Sequence, residues 1–478
     1  MSHAFLSTVT AVAGEELRLL WRKRVAITGF FLLLLLTLAA TFVSLQQKQS
    51  AEAERNRLQS TADQHWNAQP DRHPHRVVHY GHFVFSPMDA LSFFDFGVEP
   101  YTGHAIYLEG HRQNSANFSD ARQSSLLLRF GNLTPAFVLQ TLVPLMIIFL
   151  AFGSVARERE GGQMRLVLCQ GVSGIRLLLG KVASHLLVAL ALSAPAFIAV
   201  AAISITGQGP ALAALLIVLG YTLYFCIWVM VSVLISAAMR RARDALLVLV
   251  GCWMIATVLL PRILPAIAAD KIILPTRIET EAAIHSALAK IGDSHNPNDP
   301  YFAEFRQRTL AKYGVEKVED LPVNYGGLLM AEGERLTSEL FDRYMQADFR
   351  IQEEQSAFVN QFAILSPVIA LRQLSMSLAG TSREHHAHFL TEAEKYRFDL
   401  IQALNHLHTT QVRFENDRAQ RVSRHHWQDL PKFSHQPLSL EYLITKHVLP
   451  GIGILALWLS ALAITLVWLG KRLERQAI

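Results

Sequence analysis

The sequence predicts a mainly α-helical polytopic membrane protein with six membrane-spanning helices and two large extracytoplasmic insertions, the first of mixed α/β structure and the second mostly helical. Three observations predict this fold class. Of the 478 residues, 51% are hydrophobic and only 17% are charged, whereas a soluble domain has about 25% charged residues. Six apolar runs reach the length of about 20 residues that a bilayer-crossing helix needs. Two long polar stretches separate these runs.

The six apolar runs fix the order of the predicted segments. The predicted spans are 25–45, 134–155, 182–206, 211–238, 244–265 and 448–469. Apart from the short connections 207–210 and 239–243, the remaining segments are 1–24, 46–133, 156–181, 266–447 and 470–478. We interpret the first run as a retained anchor, because it is longer than the 7–15 apolar residues of a signal peptide.

Lysine and arginine in the short segments predict the orientation. They cluster before span one, between spans two and three, between spans four and five, and after span six. With six spans these four regions share one side, and an excess of positive charge marks the cytoplasmic side. Both termini are therefore predicted to be cytoplasmic, and 46–133 and 266–447 are predicted to lie outside.

The cytoplasmic segments have recognisable helix signals. Residues 3–21 place apolar side chains at near-helical spacing, which predicts an amphipathic helix on the membrane face. In the loop, 157–160 continue the helix of span two, and Gly161 and Gly162 end it. A short helix is predicted over 164–170, with an apolar stripe of Met164, Leu166, Val167 and Leu168 that could dock a partner protein. Ser173 is predicted to cap the next helix.

The two outer segments differ in pattern. In 91–114 short β-prone pieces alternate with glycine and proline turns, which predicts mixed structure. In the second segment, 331–365 is predicted as a long amphipathic helix. Thr381 or Ser382 is predicted to cap another helix that runs to about His408.

Several function classes are disfavoured. No Asp, Glu, Lys or Arg lies at mid-depth in a predicted span, which argues against an ion channel or a proton-coupled carrier. The chain has neither a basic tract nor a nucleic-acid-binding motif, so no nucleic acid is expected as a partner. It lacks a phosphate-binding loop, so it is not expected to bind ATP itself. The three cysteines lie in or beside apolar runs, so no disulfide framework is expected.

Histidine is abundant in the outer segments. His385 and His388 are one helical turn apart and could present two imidazoles to one metal ion. No third ligand at a fixed spacing is identifiable, so a solvated helix face is the preferred interpretation and no metal site is assigned. These residues nevertheless support an alternative function, a membrane-anchored periplasmic metal-binding protein or enzyme. A purely structural scaffold is a third possibility.

The loop between spans two and three carries the most specific motifs. They are Arg157-Glu158-Arg159-Glu160-Gly161, then Gln170-Gly171-Val172-Ser173, then Leu177-Leu178-Leu179-Gly180-Lys181. This order resembles the coupling segment of ABC-2-type transporter permeases, in which the first motif is followed by Thr-Leu where this chain has Gly162-Gln163. The stretches 79–114, 129–160 and 365–397 resemble a bacterial subfamily of these permeases that has two large extracytoplasmic insertions.

The resemblance implies a fold like that of ABC-2, or type V, exporters and a permease subunit of an ATP-driven transporter, either an exporter or a mechanotransmitting complex. It implies a separate ABC ATP-binding subunit that holds ATP and Mg²⁺, with no cofactor in this chain. It also implies a second permease, identical or paralogous, that completes a dimer in the lipid bilayer of the bacterial inner membrane.

The resemblance also suggests which residues meet the ATPase. The ATPase-coupling residues would be Arg157, Glu158, Arg159, Glu160, Gly161 and Arg176. Glu15 and Glu16 would make the contact of the N-terminal amphipathic helix.

Overall fold

The computed structural model of this chain describes residues 3–117, 133–294, 296 and 298–477. Residues 118–132, at the end of the first predicted insertion, lie outside the described part. The elements of the first half are α1 (His3–Arg22), α2 (Arg24–Asn67), α3 (Pro74–Val78), β1 (His82–Phe85), β2 (Ala105–Leu108), α4 (Pro135–Glu160), α5 (Gln163–Cys169), α6 (Gly174–Ile205), α7 (Ala211–Ala238) and α8 (Ala242–Lys271). The elements of the second half are α9 (Arg277–Ile291), α10 (Pro300–Tyr313), α11 (Tyr325–Gln361), α12 (Pro367–Ala379), α13 (Arg383–Gln411), α14 (His425–Gln428) and α15 (Leu440–Arg475).

Six of these helices are long and apolar enough to cross a membrane: α2, α4, α6, α7, α8 and α15. They lie where the six apolar runs lie in the sequence, so the predicted mainly α fold with six long apolar helices is confirmed. The end of the bundle that carries residues 156–173 is called the loop end, and the opposite end is called the outer end. Helix α2 continues well past the apolar run, to Asn67, and its 44 residues give a rod of roughly 66 Å.

Proline shapes three of the six long helices. A π-helical turn precedes Pro144 in α4, Pro261 in α8 and Pro450 in α15. Proline has no N–H to donate to the carbonyl four residues earlier, and a local π turn is one way to accommodate it. In α4 that carbonyl belongs to Gln140, and it accepts a hydrogen bond of 2.8 Å from the hydroxyl of Tyr224 in α7.

The two outer segments fold into one outer domain. Strands β1 and β2 of the first segment pair antiparallel, with His82 opposite Leu108. They pack through Val84 and Ile106 on Phe389 of α13, in the second segment. A second cluster joins α2 and α3 to α13 and α14, and there the indole N–H of Trp66 donates to the Trp427 carbonyl at 3.3 Å. The two segments are far apart in the sequence, but their side chains pack into shared apolar clusters and so form one domain.

The helices of the second segment begin at positions set by local hydrogen bonds. Helix α11 begins at Tyr325, six residues before the predicted start, because the side chain of Asn324 accepts from the Gly326 N–H at 2.8 Å. Ser382 occupies the N-cap position of α13, as predicted, but its hydroxyl bonds the Nδ1 of His385 at 2.9 Å instead of a backbone N–H. The Thr381 hydroxyl donates to the Asp95 carbonyl at 2.8 Å, so it ties the two segments together.

A buried ion cluster lies at the centre of the outer domain. The Arg397 guanidinium is 1% exposed and donates to Glu334 at 2.5 Å and to Glu394 at 2.7 Å. It also donates to the Ser338 hydroxyl at 2.6 Å and to the Glu109 carbonyl at 3.2 Å. These contacts join Glu109, the residue that follows β2 in the first segment, to α11 and α13 of the second.

Replacing Arg397 with Met should destabilise the outer domain. The change leaves the Glu334 and Glu394 carboxylates buried without their cation, which costs about 3–5 kcal/mol. The measurement is the thermal melting of the full chain in detergent. Arg335→Met is the control, because Arg335 is 41% exposed and pairs on the surface with Glu332 and Glu339. That change should cost about 1 kcal/mol or less, and equal shifts for the two variants would contradict the prediction.

Candidate functional site

The N-terminal amphipathic helix α1 lies along α6 at the loop end of the bundle. Gly180 permits the contact, because a Cβ at that position would come within 2.6 Å of the Val12 side chain. This close approach brings Glu16 of α1 beside the first turns of α6. Glu15, the next residue along the chain, faces outward and pairs with Arg18 at 3.3 Å on the surface.

The Lys181 ammonium joins three elements at this point. Lys181, in α6, is 3% exposed and donates to Glu16, itself 4% exposed, at 2.5 Å. It also donates to Glu158 at the end of α4. His185, one turn further along α6, has its Nε2 3.8 Å from Glu16. The group of Lys181, Glu16, Glu158 and His185 is called the ionic joint, and it fixes α1, α4 and α6 to one another.

Lys23, between α1 and α2, lies in the field of the ionic joint. Burial lowers the pKa of Lys23, and the negative charge of Glu16 opposes that change. The positive charges of Arg157 and Lys181 lower the pKa of Lys23 further, and the negative charge of Glu158 raises it.

Arg159 and Glu160 bind the turn between α7 and α8. The Arg159 guanidinium donates to the Ala237 carbonyl at 2.6 Å and to the Met239 carbonyl at 2.5 Å. Carbonyls at the end of a helix lack partners within the helix, and a cation satisfies them well. Glu160 accepts from the Ala242 N–H at 3.0 Å, at the start of α8.

Two further contacts bind the loop to α7 and α15. The Ser236 hydroxyl of α7 accepts from the N–H groups of Val155 and Ala156, at 3.1 Å each. At the start of α6, the Gly174 N–H donates to Glu474 of α15 at 2.7 Å. Because a Cβ on Gly174 would come within 2.2 Å of the Gly470 carbonyl oxygen, only glycine allows this approach.

The rest of the loop follows the predicted pattern of helices. The helix of 156–160 ends at Gly161 and Gly162, where Gly162 has a positive φ of 75°. Helix α5 follows, and Ser173 caps α6 by accepting from the Arg176 N–H at 3.3 Å. The Arg176 guanidinium lies over the Phe5 ring of α1, 5.3 Å from its centroid.

Helix α5 has one buried face and one exposed face. Met164 and Leu168 are buried in the apolar core of the bundle. Leu166 is 66% exposed, and Gln163 and Arg165 are exposed with it. The predicted apolar stripe is therefore divided between the two faces, because residues 164 and 168 are one helical turn apart and 166 lies on the opposite side.

The predicted coupling residues fall into two groups. Glu16, Glu158, Arg159 and Arg176 contact other elements of the chain. Arg157, Glu160, Gly161 and Glu15 are exposed, although Glu160 also caps α8. Their contact with an ATPase stays a prediction. Lys181, Ser236 and Glu474 were not singled out as site residues in the sequence. The sequence does contain a signal for Lys181, because this lysine lies between the apolar run Leu177–Leu179 and the long apolar span 182–206.

The predicted metal candidates do not share a partner. His385 Nδ1 bonds the Ser382 hydroxyl, whereas His388 Nε2 lies 2.8 Å from the Gln436 carbonyl and 3.5 Å from Glu392. Within the described residues, neither belongs to a group of three side chains close enough to hold one ion.

A buried polar network lies at the outer end of the bundle. The Gln140 amide of α4 donates to the Tyr221 hydroxyl of α7 at 2.7 Å. That hydroxyl lies 3.0 Å from Ser375 of α12, which donates to Asp95 of the first outer segment at 2.6 Å. Nearly every residue of α12 is buried, so this helix connects the outer domain to the spans.

Two family models match this chain. Residues 111–273 match the model described as ABC-2 family transporter protein. That match contains α4 to α8 and the whole loop at the loop end. Residues 277–436 match the model described as domain of unknown function (DUF3526), which covers α9 to α14. No curated protein matches the chain.

Replacing Lys181 with Met should loosen α1 from the bundle. Glu16 and Glu158 would then face each other without a cation, at a cost of about 3–5 kcal/mol. The measurement is the rate of trypsin cleavage after Arg18 and Arg22 in the detergent-solubilised protein, which should rise. Glu15→Gln is the control and should leave the rate unchanged. Adding Glu16→Gln and Glu158→Gln to Lys181→Met should slow cleavage again, and failure of this rescue would contradict the electrostatic explanation.

Proposed function

We propose that this chain is the permease subunit of an ABC transporter and works with a separate ATPase that docks at the loop end. The match of residues 111–273 to the model described as ABC-2 family transporter protein supports this proposal. Two ATPase subunits would bind the loop 156–173 and α1 in a complex of two permeases. Their ATP-driven closure would move these elements and switch the spans between two states.

The ionic joint is the observation that carries the proposal. A force applied to α1 or to the loop reaches α6 and α4 through Lys181, because separating its ion pairs would leave charge uncompensated in a water-poor site. A loop that only connected two spans would not need such a joint.

The exposed face of α5 supports a docking role. Leu166, Arg165 and Gln163 lie on the outside of the loop, beside exposed Arg157 and Glu160. We assign the ATPase contact to this surface. Glu158, Arg159 and Arg176 then transmit its movement, since their partners belong to α6, α7 and α1.

The pairing of α4 with α7 supports transmission to the outer end. Arg159 and Ser236 join the two helices at the loop end, and Gln140, Tyr221 and Tyr224 join them at the outer end. A rigid pair of helices moves as one body, so a displacement at the loop would reach α12 and the outer domain.

An apolar cavity supports an amphiphilic or lipid-linked cargo, or a mechanical action on the outer domain. It has a volume of about 500 Å³ and lies between α7, α8 and α15, with Trp228, Trp458 and Trp468 in its walls. Most of α8 and α15 is exposed, and these faces are available to lipid or to the second permease, whether identical or paralogous.

The proposed setting is the bacterial inner membrane, with the loop end in the cytoplasm and the outer domain in the periplasm. The exposed native Cys169, in α5, can test it. In a chain with Cys226→Ser and Cys252→Ser, a membrane-impermeant maleimide should label Cys169 in inverted vesicles and not in intact spheroplasts. A matched chain whose single cysteine comes from Ile278→Cys, in α9 of the outer domain, should show the opposite pattern. Labelling of Cys169 in spheroplasts would overturn the topology.

Docking and transmission can be separated by two substitutions. Leu166→Glu places a charge on the exposed face of α5 and should abolish co-purification with a co-expressed candidate ATP-binding subunit. Glu158→Gln weakens the ionic joint only, so the ATPase should still bind while permease-dependent stimulation of its activity falls several-fold. Ile278→Glu, also at an exposed isoleucine, is the control and should change neither. Release of the ATPase by Glu158→Gln would contradict the assigned roles.

A further inference from the structure

Three histidines of the outer domain converge on one point of its surface. His75 lies on α3, His79 follows its last residue, and His111 lies beyond β2. Each offers one ring nitrogen, and the three nitrogens lie within 4.8 Å of one another. The Nε2 atoms of His75 and His79 are 3.2 Å apart.

Local sequence places the first two histidines together. Positions 75 and 79 are four residues apart, so they share one face of a helical turn. His73 caps this turn by accepting from the His75 N–H at 3.2 Å, and Pro74 fills its first position. Val77 and Val78 are buried on the other side, which turns the two imidazoles away from the core.

The third histidine is held in an uncommon conformation. His111 has a φ of +62°, and it is the one residue other than glycine with a positive φ in the described part of the chain. Glu334 of α11 fixes it, because the carboxylate accepts from the His111 N–H at 2.9 Å and lies 3.2 Å from its Nδ1. Glu334 is fully buried and is itself held by Arg397. Backbone strain of this kind is concentrated at binding and catalytic sites.

The geometry and chemistry of the cluster suit a metal ion. Two imidazoles bound to one tetrahedral ion with bonds of about 2.0–2.1 Å place their nitrogens roughly 3.3 Å apart.

We infer that His75, His79 and His111 bind one divalent late transition-metal ion, Zn²⁺ or Cu²⁺, and that Glu334 orients His111 for this purpose. Imidazole is the ligand that suits these ions. A carboxylate that accepts the Nδ1 proton fixes the tautomer and leaves the Nε2 lone pair for the ion. His79 is exposed, so a fourth position opens to solvent and can take water or a small ligand.

A neighbouring group does not compete for this assignment. His73, His408 and Asp417 also lie within reach of one another. However, the Asp417 carboxylate already accepts from His408 at 2.6 Å and from Asn324 at 2.7 Å. Because Asp417 already has these hydrogen-bond partners, we interpret this second group as structural and assign no metal ion to it.

The site would strengthen the union of the two outer segments. Its three ligands come from the first segment, and the carboxylate that orients His111 comes from the second. A bound ion should therefore raise the melting temperature of the full chain, because an ion that binds only the folded state stabilises that state.

The test is metal binding by the full chain, purified in detergent through a tag without histidine and stripped with a chelator. After incubation with Zn²⁺ and desalting, elemental analysis should find about one zinc per chain. His79→Gln and His111→Asn should each weaken binding about 10-fold or more, by analogy with the loss of an orienting partner. Asparagine is chosen at position 111 because it tolerates a positive φ.

The double variant His385→Gln with His388→Gln is the matched control and should retain the zinc. With Cu²⁺, electron paramagnetic resonance should show nitrogen coupling that His79→Gln diminishes. Absence of bound metal in the unaltered chain, full occupancy in His79→Gln and His111→Asn, or loss of the metal in Asp417→Asn alone would each overturn the inference. None of these measurements involves an ATPase, so the result is independent of the proposed coupling.

Discussion

One buried ammonium group holds the loop end of this protein together. Lys181 lies between the carboxylates of Glu16 and Glu158, which come from two other elements of the chain. An ion held in a water-poor site is stable only while its partners remain, because separation leaves each charge poorly solvated. Removing any one of these three groups would therefore leave a buried charge uncompensated. The arrangement fixes α1, α4 and α6 to one another and leaves one face of α5 exposed.

Helix ends and polar pairs extend this joint across the membrane region. At the loop end, the Arg159 guanidinium donates hydrogen bonds to backbone carbonyls at the end of α7 that have no partner within the helix. At the outer end, the Gln140 carbonyl of α4, left without a partner by Pro144, accepts a hydrogen bond from the hydroxyl of Tyr224 in α7. Both contacts meet the same physical requirement, since an unpaired backbone group is costly in a medium without water. The result is a pair of helices joined at both ends, with α12 and Asp95 connecting it to the outer domain.

The outer domain is organised by a second buried charge. Arg397 brings together carboxylates and a carbonyl from both polar segments, and its partner Glu334 also holds His111. Stability and the proposed metal site thus share one carboxylate. Such sharing explains why a residue in the second segment controls the geometry of a cluster in the first. It also distinguishes this domain from a simple solvated loop, which would need neither a buried arginine nor a strained histidine.

The sequence by itself determined the features that depend on local pattern. Apolar runs gave the six long helices, and Gly161, Gly162 and Ser173 gave the breaks and the cap in the loop, because hydrophobic length and backbone preference act over a few residues. The loop motifs also indicated the ABC-2 family. Only the tertiary structure decided which side chains meet. Glu16 and Lys181 are 165 residues apart, and His111 and Glu334 are 223 apart. No sequence periodicity relates residues so far apart. How the helices pack therefore decides that Glu16 is buried while Glu15 is exposed, and where the histidine cluster lies.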